Sequence, residues 1–407
     1  MQGIPDALRW KINLLRYRVL RQAASLRMVL RPVRDRVYIW PPFCLEDQKN
    51  LEKVQSDYLY YLNNTDICVC YFMRDEHGLT RNIFSVEDGR VIGKFKTTEK
   101  EARAELRRAR YYALWKYSNR PKAGSLRPHI YYIVVDKEGK YIEPGDWLRL
   151  VSDIYLSQHS IPARVHESLK FVESCAILGS GPSVDYFISE SDRWDGWIGA
   201  NFLVCDERLS GINRPLAYCI ADPECFGPLA EYRQLRERLF QFLRDTPAVF
   251  FTIATYAPFI ELNFPEEIKK KCYYAKRLGH DTYRFTSRFR ADSLTVTGYG
   301  NVLTDLMLPL ATCVSRKIIL YGCDGMPPGT VRFSKSPAMG KYDDAYFADN
   351  PEAFNNFSEY VCKFGKYTGY VVEKCMKQGV EIVLRCPSWN AGLRSLPVIG
   401  ERAATDL

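Results

Sequence analysis

Residues 171–185 read FVESCAILGSGPSVD, and the reading of this stretch decides the fold. The apolar run Cys175, Ala176, Ile177 and Leu178 has the length of a buried strand. It runs into a turn of small residues, Gly179-Ser180-Gly181-Pro182-Ser183, and a helical pattern follows. Glycines at the end of a strand let backbone N–H groups approach a phosphate or ribose with no Cβ in the way. Pro182 loses no bonded N–H in the first turn of a helix, and Ser183 can cap free donors there. Open α/β sheets bind nucleotides at such a turn, at the carboxyl end of a first strand. A purely structural strand-to-helix turn looks the same, so the rest of the chain has to arbitrate.

Downstream, the pattern repeats. Short apolar runs at 197–200, 216–221, 248–254, 295–297, 317–321 and 380–384 alternate with helical patterns at 228–243, 301–315 and 351–378. Continuous apolar strands between helices point to an α/β fold with a doubly wound, mostly parallel, Rossmann-like sheet over 171–407. Each distinctive element follows a strand: Asn201, Asp222-Pro223, Gly298-Tyr299-Gly300-Asn301, Gly322-Cys323-Asp324-Gly325 and Cys386-Pro387-Ser388. Such sheets keep their sites at that edge.

Upstream, residues 37–170 read as a small α+β domain. The pattern gives a helix over 45–62, a strand over 67–73 and a hairpin around Asp88-Gly89. A helix over 98–117 opens with Thr97-Thr98 ahead of Glu99 and Glu101, and a second hairpin turns at Glu138-Gly139 between 131–135 and 141–142. His77, His129, His159 and His166 are isolated and form no catalytic spacing. Residues 1–36 carry nine lysines and arginines against Asp6 and Asp35. Leu8, Ile12, Leu15, Val19, Ala23, Leu26 and Leu30 fall at helical steps, which makes a basic amphipathic helix. Two readings of it stand: a helix lying in an anionic membrane surface, or one packed on its own protein with a solvated arginine face.

The whole chain of 407 residues holds 27 Tyr and 21 Phe, which excludes a disordered or fibrous class. A formal charge of +9 asks for an anionic partner without choosing it. A nucleic-acid partner is not expected. Thirteen cysteines without a CxxC fit reduced thiols in the cytoplasm better than a disulfide framework or a zinc site. No run of 18 apolar residues exists, so no transmembrane helix is expected, and the start lacks a signal peptide's apolar core. The expected place is the cytoplasm, peripherally on the inner face of the cytoplasmic membrane if 1–36 is an anchor.

The pieces ILGSGPSVD, IGANF, YCIADP, LTVTGYGN, KIILYGCDG and VEIVLRCPS occur in that order over about 225 residues. Residues 171–397 thereby resemble the bacterial CMP-sialic-acid-dependent sialyltransferases of glycosyltransferase family 42. They also resemble the domain shared by motility-associated flagellin glycosyltransferases and archaeal hydroxymethylpterin diphosphokinases. The resemblance implies transfer of a sugar acid (sialic acid, Kdo or a pseudaminic-type sugar) from a CMP-activated donor to a glycan or lipid-linked acceptor. It implies a donor site of Gly179, Ser180, Gly181, Pro182, Ser183, Asn201, Asp222, Thr297, Gly298, Pro387 and Ser388. Asn201 corresponds to the Asn on the CMP portion, Thr297-Gly298 to the turn on the donor carboxylate, and Pro387-Ser388 to the cytosine corner.

One departure stands out. The sialyltransferases carry a general-base His before the long last helix, whereas residues 342–370 hold none. His280, Asp222 and Asp324 are the candidate catalytic groups in its place, with Asp343 or Asp344 behind them. Arg284, Arg288 and Lys335 are candidates for phosphate or acceptor contacts. Asp222-Pro223-Glu224 resembles a short metal-binding pattern, but a CMP donor carries one phosphate, so no metal and no cofactor are expected to be required. Two other functions fit the same pieces: diphosphate transfer from ATP to a pterin, and a non-catalytic nucleotide- or glycan-binding module in polysaccharide assembly.

Overall fold

The computed structural model describes residues 36–43, 68–85, 90–108, 111–115, 130–133, 148, 151–152, 154–156, 159–160, 169–226, 230–278, 289, 294–297, 301–325 and 353–399. The chain divides into two compact units, Met1–Gln158 and His159–Leu407.

The first unit holds strands β1 (Arg36–Phe43), β2 (Cys68–Asp75), β3 (Gly78–Ser85), β4 (Arg90–Thr97), β5 (Tyr111–Trp115) and β6 (Ile130–Ile133). They form one sheet in the order β4-β3-β2-β1-β5-β6. β1, β2, β5 and β6 pair in parallel, and β3 and β4 add an antiparallel hairpin. Helix α1 (Glu99–Arg108) opens with a reciprocal cap: Thr98 N–H donates to Glu101 Oε2 at 2.8 Å, and Glu101 N–H donates to Thr98 Oγ1 at 3.2 Å. The helix expected over 98–117 ends at Arg108, and Tyr111-Tyr112-Ala113-Leu114-Trp115 pairs with β1 instead. Three of the five are aromatic residues, which favour strands. Ile130–Ile133, read as an arm of a hairpin, pairs in parallel with β5. Tyr38, Cys70, Phe72, Leu79, Ile83 and Ala102 form the core. The helices expected over 1–36 and 45–62, and the turn at 138–139, lie outside the described residues.

The second unit is an α/β domain on an eight-stranded sheet. Its strands are β7 (Val172–Leu178), β8 (Gly196–Ala200), β9 (Pro215–Cys219), β10 (Val249–Ile253), β11 (Cys272–Leu278), β12 (Thr295–Thr297), β13 (Ser315–Tyr321) and β14 (Glu381–Leu384). The order is β12-β11-β10-β9-β8-β7-β13-β14, and every pairing is parallel. The chain steps outward from β7 to β12, then returns to build β13 and β14 on the other side of β7. The strand order therefore reverses between β7 and β13, the place where open parallel sheets hold ligands. Strand β11 is absent from the sequence reading because Lys276 and Arg277 interrupt its apolar run.

Four helices matter to the site: α2 (Val184–Glu190), α3 (Ala230–Asp245), α4 (residues 303–314) and α5 (Ala353–Met376). Helix α4 spans the long return from β12 to β13. It begins as a π-helical turn, Leu303–Met307, packed on β8, β10 and β12, and its later part, Leu308–Val314, packs on β7 and β13. Residues 303–311 are all buried, because α5 covers the helix from the other side. Apart from Thr304, which donates to Asp305 Oδ1 at 3.2 Å, and Asp305 itself, these residues are apolar, as suits an interior layer. Burying Leu306, Leu308 and Leu310 there contributes about 2–3 kcal/mol each. Among the described residues, no helix is long and apolar enough to cross a membrane.

Candidate functional site

With all eight strands parallel, the turns that follow them emerge at one edge of the sheet. Three of these turns interlock at the point of reversal. Gly179 N–H donates to Tyr321 O at 2.7 Å, and Gly181 N–H donates to Gly322 O at 2.8 Å. Gly322 N–H donates to Ser183 Oγ at 2.7 Å, and Ser183 N–H donates to Asp324 Oδ2 at 2.9 Å. A Cβ on Gly179 would lie 2.3 Å from Gly322 O, and one on Gly181 would lie 2.3 Å from Asp324 Oδ2. The glycines thus serve the close approach of two turns.

This alters the role read from sequence for that turn. The N–H groups of Gly179, Gly181 and Ser183, offered there to a phosphate, are bonded inside the protein. The Asp324 carboxylate sits at the start of α2, where nucleotide-binding sheets place an anion. The third turn closes on the same unit. Ser388 Oγ donates to Cys323 O at 2.7 Å and accepts from Asn390 N–H at 3.1 Å, while Trp389 N–H donates to Asp324 O at 2.6 Å. Residues 179–183, 322–325 and 386–390 therefore form one bonded corner, with Ser180 half-buried and Pro182 and Pro387 exposed. The Ser388 hydroxyl is engaged within it. Helix α5 supports the corner through Gly365 and Gly369, whose backbones admit Gly392 so closely that a Cβ there would lie 2.2 Å from Gly369 N.

Asn201 lies immediately after β8, the strand next to β7, in a left-handed conformation with φ 52°. Asn enters this region more readily than other residues with a Cβ, and a residue held there is a candidate functional position. Its carbonyl accepts from Tyr218 OH at 2.7 Å, and that hydroxyl accepts from Val204 N–H at 2.5 Å. The Asn201 Oδ1 atom is buried and has no hydrogen-bond partner among the described residues. Buried acceptors are ordinarily satisfied, so this one is positioned for a donor that the described residues do not supply. Asp222, beyond β9, is exposed, yet the protein crowding around it raises its carboxyl pKa by desolvation. A raised pKa suits a general base.

Asn301 acts locally: its Oδ1 accepts from Leu303 N–H at 2.8 Å and starts α4. Thr297 ends β12. The Thr297 side chain, Gly298, His280, Arg284, Arg288 and Lys335 lie outside the described residues.

The sequence reading missed the ionic cluster behind the corner. Arg385 grips Glu190 with two contacts, Nε to Oε2 at 3.0 Å and Nη2 to Oε1 at 2.9 Å. Tyr321 OH donates to Glu190 Oε2 at 2.9 Å and accepts from Trp194 Nε1–H at 2.8 Å. The Arg385 guanidinium lies 4.3 Å from the centre of the Tyr186 ring. Hydrogen bonding by Arg385, reinforced by Tyr321, holds the Glu190 pKa below the usual carboxylate range. The cluster ties the end of α2 to the ends of β13 and β14. Its partners are 195 residues apart, and no local pattern signals them.

No protein-family model and no curated protein matches the chain. Among solved structures, a chain described under differential inhibition of the tandem GH20 catalytic modules in a pneumococcal exo-β-D-N-acetylglucosaminidase aligns with it at 10% identity. The alignment covers 54% of this chain and 55% of that one, about half the length of each, with a TM-score of 0.16. A likeness of that size carries no argument about fold or activity.

Proposed function

We propose that the chain is a glycosyltransferase that moves a sugar acid from a CMP-activated donor to a glycan or lipid-linked acceptor. The observation that carries this reading is Asn201, strained, with an unsatisfied buried oxygen, at the carboxyl edge one strand from the reversal of the sheet. An Asn side chain offers both a donor and an acceptor to a ribose or base edge. Asp222 supplies a solvent-reached carboxylate of raised pKa for the acceptor hydroxyl, in the absence of a histidine over 342–370. The phosphate is held away from the N–H groups of Gly179, Gly181 and Ser183, which the interlocked corner already engages. Arg284, Arg288 and Lys335 supply its charge compensation.

The basic residues of 1–36 place the enzyme on an anionic membrane surface, close to a lipid-linked acceptor. Sedimentation with anionic vesicles that is lost on deleting 1–36 supports that placement, and unchanged sedimentation removes it.

The function is tested by incubating the protein with CMP-sialic acid or CMP-Kdo, with chelator present, and following CMP release by chromatography. Release that rises on adding glycan acceptor supports the reading. Binding of ATP that requires Mg²⁺, without CMP release from either donor, overturns it in favour of diphosphate transfer.

A further inference from the structure

We propose that Trp389 and Arg394 form a platform for a pyranose ring that carries a carboxylate, which makes the acceptor an acidic glycan. The assignment of this ligand as the acceptor rests on the transferase reading above; the platform itself does not.

Trp389 is 49% exposed, although its backbone belongs to the interlocked corner through the N–H that donates to Asp324 O at 2.6 Å. An exposed indole on a fixed backbone, beside the site, is a preformed apolar surface and not a mobile loop tip. The Arg394 guanidinium lies 5.9 Å from the centre of that ring. Two backbone bonds hold it there: Arg394 Nη2 donates to Trp389 O at 3.1 Å, and Arg394 N–H donates to Asn390 O at 3.2 Å. Among the described residues, no carboxylate pairs with Arg394, which is exposed.

A second exposed aromatic on this edge shows the contrast. Tyr186, 47% exposed, also lies against a guanidinium, that of Arg385, but Glu190 neutralises that charge. Phe171, 53% exposed under the Arg316 guanidinium at 5.6 Å, is a comparable pair but precedes β7, away from this edge. At the edge, among the described residues, the Trp389–Arg394 pair combines an exposed aromatic ring with a guanidinium that no carboxylate neutralises. The C–H face of a pyranose lies flat on an indole, and a guanidinium grips a carboxylate with two parallel bonds. A neutral sugar would use half of the platform, and a simple anion the other half. The formal charge of +9 favours an acidic ligand at long range.

The test uses the full chain labelled with 5-fluorotryptophan, whose seven tryptophans give separate fluorine resonances. Trp389→Phe identifies the Trp389 line. Titration with trigalacturonate is expected to move that line saturably. Maltotriose, of equal length and neutral, is expected to bind at least tenfold more weakly. Arg394→Gln should weaken trigalacturonate at least tenfold while leaving maltotriose unchanged, and Arg394→Lys should fall between wild type and Arg394→Gln. An unmoved Trp389 line, equal response to both sugars, or indifference to Arg394→Gln overturns the platform. A CMP titration of the same sample separates the two readings. CMP binding without a sugar response overturns the platform and leaves the transferase. A sugar response without CMP binding supports the platform and removes the transferase.

Discussion

The backbone N–H of Ser183 donates to Asp324 Oδ2 at 2.9 Å, joining residues 141 positions apart in the chain. The bond puts a carboxylate of the protein itself at the start of α2, and it fixes the distance between the turns after β7 and β13. Around it, Gly181 has no room for a side chain.

Gly181→Ala would place a methyl group 2.3 Å from Asp324 Oδ2 and 2.8 Å from Gly322 O. Relief requires moving backbone as well as a carboxylate, and overpacking of this kind costs about 1–3 kcal/mol. Asp324→Ala removes the clash with Oδ2, though not the contact with Gly322 O, and leaves the Ser183 N–H unpaired, a loss of about 1–3 kcal/mol. The double variant is expected to lose less than the sum of the two, because the sites share one contact. Urea unfolding of the three variants measures this. Strict additivity would contradict the contact.

Glu190 gives the corner a pH dependence with a definite sign. Its folded pKa is depressed by the Arg385 hydrogen bonds, then by Tyr321 and by the nearby guanidinium charges. A depressed carboxylate contributes stability above its unfolded pKa, about 4.3, and that contribution is lost as pH falls through the lower folded value. Wild type should therefore lose stability on acidification below about pH 4, and Glu190→Gln should lose less over that range. At pH 7 Glu190→Gln is expected to cost about 1.5–3 kcal/mol, the range for a charged hydrogen bond. Denaturant midpoints at pH 3, 5 and 7 check it, and parallel curves for the two proteins would sink it.

Lys374 works in the opposite direction. Its Nζ is buried with no hydrogen-bond partner among the described residues, 4.3 Å from the centre of the Phe289 ring. Burial pulls its pKa down to about 8. The unfolded chain then binds more protons between about pH 8 and the ordinary lysine value near 10.4, so stability rises with pH over that window. Below pH 8 the charged amine is a net cost, partly offset by the aromatic ring. Lys374→Met should raise stability by about 1 kcal/mol at pH 7, with the gain fading above pH 10. Thermal melts at pH 7 and pH 10 measure the difference, and a Met variant less stable at pH 7 would contradict it.

Much of the second unit was legible because its strands are continuous apolar runs with small or polar turns behind them. Residues 175–185 specify strand, turn and helix locally, and parallel pairing then places every later turn at the same edge. Where charge breaks the run, as at Lys276 and Arg277, the strand disappears from the pattern. Where aromatic residues follow a helix directly, as at Tyr111 and Tyr112, period alone extends the helix too far. The site was legible as positions but not as geometry. Gly179 and Gly181 are recognisable as glycines of a turn, but the neighbours that require them are Gly322 and Asp324, and their N–H groups go to Tyr321 O and Gly322 O. The positive φ of Asn201 and the Glu190–Arg385 grip depend on contacts from distant parts of the chain.

The central claim is that Asn201 reads a cytidine monophosphate at the carboxyl edge. Asn201→Gly tests it most directly, because glycine adopts φ 52° without strain and so removes Oδ1 while keeping the backbone stable. Calorimetric titration of CMP, with chelator present, should show binding by the wild type and at least tenfold weaker binding by Asn201→Gly. That ratio corresponds to about 1.4 kcal/mol for one lost hydrogen bond. Equal affinity in the two proteins, or no CMP binding by the wild type, would contradict the account.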